Sequence, residues 1–477
     1  MRRAALVVIA LACAARVLSA QPQDAAQSHY RRGLALEREQ KLDEAAAEYR
    51  AALERAPRLA VAHDRLGFVL GRQGRTQEAI AEFERAVALD PASFDARYHL
   101  GATLWWTRQL DRARAELERA VRLRPTHAEA RYYLGVTRRQ QGDVTGAVDD
   151  LRRALRLDPK LIPAYTHLGV ALQELGDLDG AIARFRQALA LDPTLPDAGN
   201  SLGLALMQKG DSDAAVRALQ AVVAAQPDFS EARLNLGIAL MQGGRLDASV
   251  VALRELTRRD PAHAEGFYDL GLALKQQDDF ESAATALRSA MQLDPALAEA
   301  PFTLGVVLWQ TGRADEAVPF FREAIARRPD YAEAHYMLAT IFKQQGDADA
   351  ALAELRETIR INPLSAEAQT SLGQFLRAKR DEAGAAAAFT EAERLSRLKA
   401  DAQASVFAVN AGREKLKRGD AAGAIEQFRE AVRLAPDNAQ AHFQLALALR
   451  RARREQEARA EFAAARRIAP YLRAPES

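Results

Sequence analysis

A glycine recurs every 34 residues along most of this chain, and that period constrains the fold more than any other feature. Gly33, Gly67, Gly101, Gly135, Gly169, Gly203, Gly237, Gly271 and Gly305 keep it, Ala339 holds the place, and Gly373 resumes it. Twelve residues later comes a small side chain, such as Ala79 or Ala181, with Ser249 as the one hydroxyl. Four residues further on stands a large apolar one, such as Phe83 or Phe185. A proline closes each period, from Pro57 to Pro363. Four marks at one period mean one supersecondary unit copied along the chain.

The stretch from Ile162 to Leu195 is the regular form of that unit. Tyr165, Leu168, Gly169 and Leu172 fall at helical spacing, and so do Ala181, Ile182, Phe185, Ala188 and Leu189. Gly176 is placed to end the first helix and Asp177 to cap the second. Pro193 cannot continue a helix, because it lacks the N–H and its ring clashes with the preceding turn. A helix pair this short cannot bury its apolar face alone and needs a copy on either side. With 6% aromatic residues, close packing must come from small side chains. A bulky substitution at Ala181 is expected to overpack the crossing.

These marks, from Ala26 to Leu472, resemble the tetratricopeptide repeat family. The resemblance implies an all-α, right-handed superhelical solenoid of about thirteen helix-turn-helix units. The register slips once. Gly412 lies 39 residues after Gly373, so five residues are inserted, and Arg397 stands where a proline is due. Nothing between Gly384 and Gly412 breaks a helix. A lengthened helix or kinked junction is therefore expected around Ser396 to Ser405. The domain reading is a leader over 1–20, an array over 21–397, an insertion and possible hinge at 398–404, and a final array with a charged cap over 405–477.

The first twenty residues read as an export signal. Arg2 and Arg3 precede an apolar run, Ala4 to Ala15, too short to span a membrane comfortably. Leu18, Ser19 and Ala20 could precede a cleavage site. The expected location is periplasmic or secreted, with no transmembrane segment after the leader is removed. The only cysteine is Cys13, within that leader, so no disulfide is expected in the mature chain. The whole chain carries a net charge of +2, and without Arg2, Arg3 and Arg16 it holds 63 basic groups against 64 acidic. That balance gives no electrostatic case for nucleic acid.

Catalytic signatures are missing from the sequence. It has no HExxH, no phosphate loop and no mature cysteine nucleophile. The glycines of Gly71 to Gly74 and of Gly243-Gly244 end helices rather than follow strands. His99 and His167 share a repeat position but do not make a metal site. The expectation is a protein that is not an enzyme and carries no cofactor or metal.

In the family the resemblance points to, the first helix of each unit lines a concave groove. Acids fall there at Asp95, Glu129, Asp197, Glu231, Glu265, Glu299, Glu333 and Glu367. Aromatic residues fall at Tyr30, Tyr98, Tyr132, Tyr268, Phe302, Tyr336 and Phe443, and amides at Gln140, Gln208, Gln242, Gln276, Gln310 and Gln344. Rings offer rigid contact area and amides both donate and accept hydrogen bonds, which suits an extended peptide. The acids have a second explanation, because a carboxylate in the first turn of a helix is favoured by the macrodipole anywhere. Trp105 and Trp106 are neighbours on one helix and point about 100° apart, so both cannot bury against one surface. Trp309 repeats the position of Trp105, and packing competes with groove contact for both.

Two peptide-binding modes of the family have marks that fall at defined repeat positions. Arg31, Arg38, Arg65 and Arg72 could serve a carboxylate clamp, but the asparagines that accompany it are missing. Only Asn235 and Asn410 match the asparagine run of relatives joined to sugar-transferring enzymes. The expected function is a protein-interaction scaffold that holds a protein or peptide in its groove. The alternatives are a structural subunit of an envelope polysaccharide-export or secretion assembly, and a substrate-recruiting arm for a separate enzyme such as a glycosyltransferase.

Overall fold

The computed structural model describes residues 24–469 and Leu472. The proposed leader, with Cys13, lies outside the described residues. Those residues form twenty-five helices, numbered α1 to α25 in chain order, and contain no strand. The chain divides between Ala205 and Leu206 into two compact parts.

Each repeat is a pair of helices. In the regular unit α9 (Ile162–Glu174) and α10 (Leu178–Leu191) are joined through Leu175, Gly176 and Asp177. Gly176 adopts φ +76°, a left-handed conformation that suits glycine. Asp177 Oδ1 accepts a hydrogen bond from the Gly180 amide at 2.9 Å and satisfies one open donor of α10. Asp143, Asp211, Asp279, Asp347, Asp381 and Asp420 cap other second helices in the same way.

The crossing of the two helices explains the glycine period. A Cβ built on Gly169 would stand 2.5 Å from Phe185 Cε1, and one on Gly67 would stand 2.8 Å from the Phe83 ring. In these crossings the bare backbone makes the room that the large residue sixteen positions on occupies. Ala181 and Phe185 have no exposed surface at all. Ser249 keeps the small volume and bonds its hydroxyl to the Gly237 carbonyl at 2.7 Å, so the polar departure is satisfied within the crossing.

A second recurring contact joins each repeat to the one before. Four positions before the crossing glycine, several repeats carry a donor that reaches the carbonyl of the proline ending the previous repeat. Arg97 Nε reaches Pro91 O at 2.7 Å, Arg233 Nη2 reaches Pro227 O at 2.7 Å, and His442 Nε2 pairs with Pro436 O at 3.0 Å. The same side chain often also holds an acid nineteen positions on, as in Arg97 with Glu116 and His442 with Glu461 at 2.6 Å. One side chain thus ties a repeat to its predecessor and its own two helices to each other.

In the second part the inserted residues do not form a loop. The helix α22 runs unbroken from Glu382 to Lys417, 36 residues, or about 54 Å at the usual rise. It is the second helix of the eleventh repeat and the first helix of the twelfth on a single axis. Residues 398–404 lie inside it. α23 (Ala421–Leu434), α24 (Ala439–Arg451) and α25 (Glu455–Ile468) complete the last two repeats.

Candidate functional site

Within each part, successive first helices touch one another. In the first part α3 (Ala60–Arg72) meets α5 (Phe94–Trp106), and α5 meets α7 (Ala128–Gln140), which meets α9. In the second, α13 (Ser230–Gln242) meets α15 (Ala264–Gln276), which meets α17 (Glu299–Gln310). No such recurring contact joins successive second helices. The first helices therefore form the tighter, inner row.

Along that row in the first part, rings touch in sequence across four repeats. Phe68 on α3 lies 5.4 Å from His99 on α5, and His99 lies 5.5 Å from Tyr98. Tyr98 lies 6.1 Å from Tyr133 on α7, which meets Trp105 edge-on at 5.3 Å and Tyr132 edge-on at 5.1 Å. Tyr132 then reaches His167 on α9 at 5.6 Å. Trp106 extends the run outward, 6.4 Å from Trp105 and 74% exposed. Edge and tilted contacts of this kind are the favoured geometries for aromatic pairs.

The polar groups around the run are of two kinds. His99 Nδ1 is held by Asp64 at 2.8 Å, and Arg139 donates to Glu174 at 2.6 Å. Trp105 Nε1, Arg139 Nε and Gln140 Oε1 are covered and have no hydrogen-bond partner. Burial pushes the Tyr132 hydroxyl up to about 12 and raises Tyr98 and Tyr133, so these phenols stay neutral donors. Burial, with Arg139 nearby, pulls His167 down to about 4, which keeps its ring uncharged at neutral pH.

The residues expected from the sequence fall into distinct environments. In the first part Tyr98 and Trp105 are half-buried and Tyr132 is buried, and all belong to the run. Trp105 also packs against the core around Leu104, which leaves Trp106 as the solvent-facing indole. In the second part Tyr268, Phe302 and Tyr336 are half-buried, and Trp309 packs against the core around Leu308 and Ile341. Phe302 meets Tyr331 at 4.8 Å and Phe321 at 5.7 Å, both away from the ladder itself. Gln208, Gln242, Gln276, Gln310 and Gln344 are exposed, whereas Gln140 and Asn235 are half-buried. Several of the ladder acids are already engaged: Glu299 with Arg328 at 2.8 Å, Asp95 with Arg124 at 3.6 Å, and Glu367 with Lys399 at 3.4 Å. Arg65 is held by Glu37, and Arg72 donates to Gln40 at 2.7 Å. Asp269, two residues before its glycine, is raised to about 6 by burial with Glu265 adding to it.

Reading one ladder position at a time missed Tyr133, His99 and His167. Their signal was present. The position two residues before the glycine carries a ring in three consecutive repeats, beside the tyrosine position. Among the described residues no three metal-binding side chains converge, and no helix is long and apolar enough to cross a membrane.

Family models described as tetratricopeptide repeat match residues 9–60, 103–162, 200–264, 268–332 and 409–472, and a second such model matches 308–375. A model described as TPR repeat matches 72–105 and 172–210. None of the curated proteins compared with the chain matches it. Among solved structures, MamA is similar at 28% identity, covering 35% of this chain and 97% of MamA with a TM-score of 0.33. YrrB, described as a TPR protein with an unusual peptide-binding site, is 24% identical and covers 39% of this chain and 95% of its own, with a TM-score of 0.34. The pilF protein of Pseudomonas aeruginosa is 20% identical over 44% of this chain and 95% of its own, with a TM-score of 0.38.

Proposed function

Because the chain belongs to the tetratricopeptide repeat family, a family of protein-interaction scaffolds, we propose that it holds an extended peptide or protein segment and catalyses no reaction itself. The site is the inner row of the first part, along α3, α5, α7 and α9. The observation that carries this reading is the unbroken run of rings from Phe68 to His167, from which the exposed Trp106 branches through Trp105. Large rigid rings give contact area at low entropic cost and are enriched where binding energy concentrates. On this reading the partner is met outside the cytoplasm, as the leader-like first twenty residues suggest.

The test is partner capture from an envelope extract, with three forms of the chain compared. Trp106→Ala combined with Tyr98→Ala should lose the partner at least tenfold. Leu123→Ser, on an exposed second-helix position, should keep it. Equal capture by all three forms would remove the inner row as the binding site.

A further inference from the structure

Five positions before the crossing glycine, every repeat that follows another carries the residue that packs onto its predecessor. It is Ala62, Ala96, Ala130, Ala164, Ala198, Ala232, Ala300, Ala334, Ala368 and Ala441, each at most 1% exposed. Where it is Gly266, an added Cβ would stand 2.8 Å from Leu256 of the preceding helix. In the twelfth repeat it is Phe407, and Phe407 is 74% exposed. Val406 beside it is 54% exposed.

The cause is the fused helix. With α22 continuous, the twelfth repeat follows the eleventh end to end instead of folding back beside it. Its incoming face, which elsewhere in the array is covered, stays open. The outgoing face of the eleventh repeat is finished differently. Twenty positions after the crossing glycine most repeats place an apolar residue that packs against a core, such as Leu53, Val87, Ile325 and Ile359. The eleventh has Glu393 there, and the thirteenth, at the end of the array, has Arg466. Both outgoing faces carry the polar finish that a solenoid end requires. The incoming face of the twelfth does not.

We propose that this face is the contact between two copies of the chain, paired through the same surface about a two-fold axis. The polar outgoing faces of the eleventh and thirteenth repeats do not match it, whereas the same face of a second copy does. The eleven residues from Ala402 to Gly412 contain no charge in a chain that is 27% charged, so like meets like without repulsion. Self-complementarity of one patch is what a two-fold interface demands. Exposed Ala411 lies one turn after Phe407 and exposed Ala402 one turn before Val406, leaving room for the partner's ring. A phenylalanine in the alanine position would overpack an ordinary repeat junction, so the residue suits this contact and not the standard one. The inference stands apart from the groove reading and uses none of its residues.

Sedimentation of the full chain, with Cys13→Ser as background, is the test. The expected result is a concentration-dependent dimer, weakened roughly tenfold or more by Phe407→Glu. Phe407 is exposed, so the helical content of the variant should match the parent. Asn410→Cys, exposed on the same side, should give a disulfide-linked dimer under mild oxidation, and Ser289→Cys on a second helix should not. A monomer at every concentration overturns the proposal. So does a dimer indifferent to Phe407→Glu, or a monomer that instead retains a different protein through Phe407.

Discussion

His63 stands between two acceptors, with Nδ1 2.5 Å from Glu82 Oε2 and Nε2 3.0 Å from the Pro57 carbonyl. A neutral ring can donate to only one of them, so the imidazolium completes the pair. Burial works against the charge, but the bonds to Glu82 and Pro57 outweigh it and raise the pKa above 6.5. The folded form therefore binds the proton more tightly than the unfolded one. The stabilisation is fully present below pH 6.5 and is lost as pH rises through the raised value. The thermal stability of the first part should fall as pH rises above 6.5 through the raised value, and His63→Gln should flatten that limb.

His167 has the opposite sign. Its folded pKa of about 4 lies below the ordinary 6.5, so the unfolded chain takes up the proton first. Stability should fall as pH drops from about 6.5 toward 4. His167→Asn should remove that dependence, read by the same unfolding series.

Gly169→Ala should cost about 1–3 kcal/mol, because the new Cβ meets the Phe185 ring at 2.5 Å. Two crossings carry an alanine, Ala339 opposite Leu355 and Ala446 opposite Phe462, all buried, so a shifted crossing admits the methyl and a smaller side chain needs less shift. The double variant Gly169→Ala with Phe185→Leu should recover part of the loss in chemical denaturation, which a simple helix-propensity effect would not do.

Arg380 holds φ +63°, at the turn position where eight other repeats have a glycine. A side chain there costs on the order of 1 kcal/mol. Arg380→Gly should raise the unfolding midpoint modestly, and Gly346→Ala should lower it, since Gly346 has φ +80°.

Ala402→Pro should break α22 where the turn would otherwise have come. The loss of one hydrogen bond and the ring clash amount to about 3 kcal/mol. Protease cleavage between Ser396 and Ser405 should appear in the variant and be absent from the parent.

The repeat was legible because its cause is local and steric. A glycine, the large side chain sixteen residues on and the closing proline each answer one packing demand, so they recur visibly. The lengthened helix was legible for the same reason, since no residue between Gly384 and Gly412 stops one. The ring run was only partly legible. Its members come from two adjacent positions on four helices, and their contacts depend on how neighbouring repeats rotate. Whether Trp105 or Trp106 faced solvent turned on that rotation too. The acids were ambiguous because one carboxylate can serve a helix end and a nearby arginine at once, as Glu299 and Arg328 do.

The tie from a repeat to the proline before it has a mechanical consequence. At Gly199, Phe267, Pro301 and Ala408 the position has no side-chain donor, so those junctions are held by apolar contact or, at Ala408, by the helix itself. Under tension the load would not be shared evenly. Junctions with a bonded histidine or arginine resist shear until a polar bond breaks, whereas the unbonded ones slide. The chain would then lengthen in steps, and the first to yield would be set by which residue occupies a single position in each repeat.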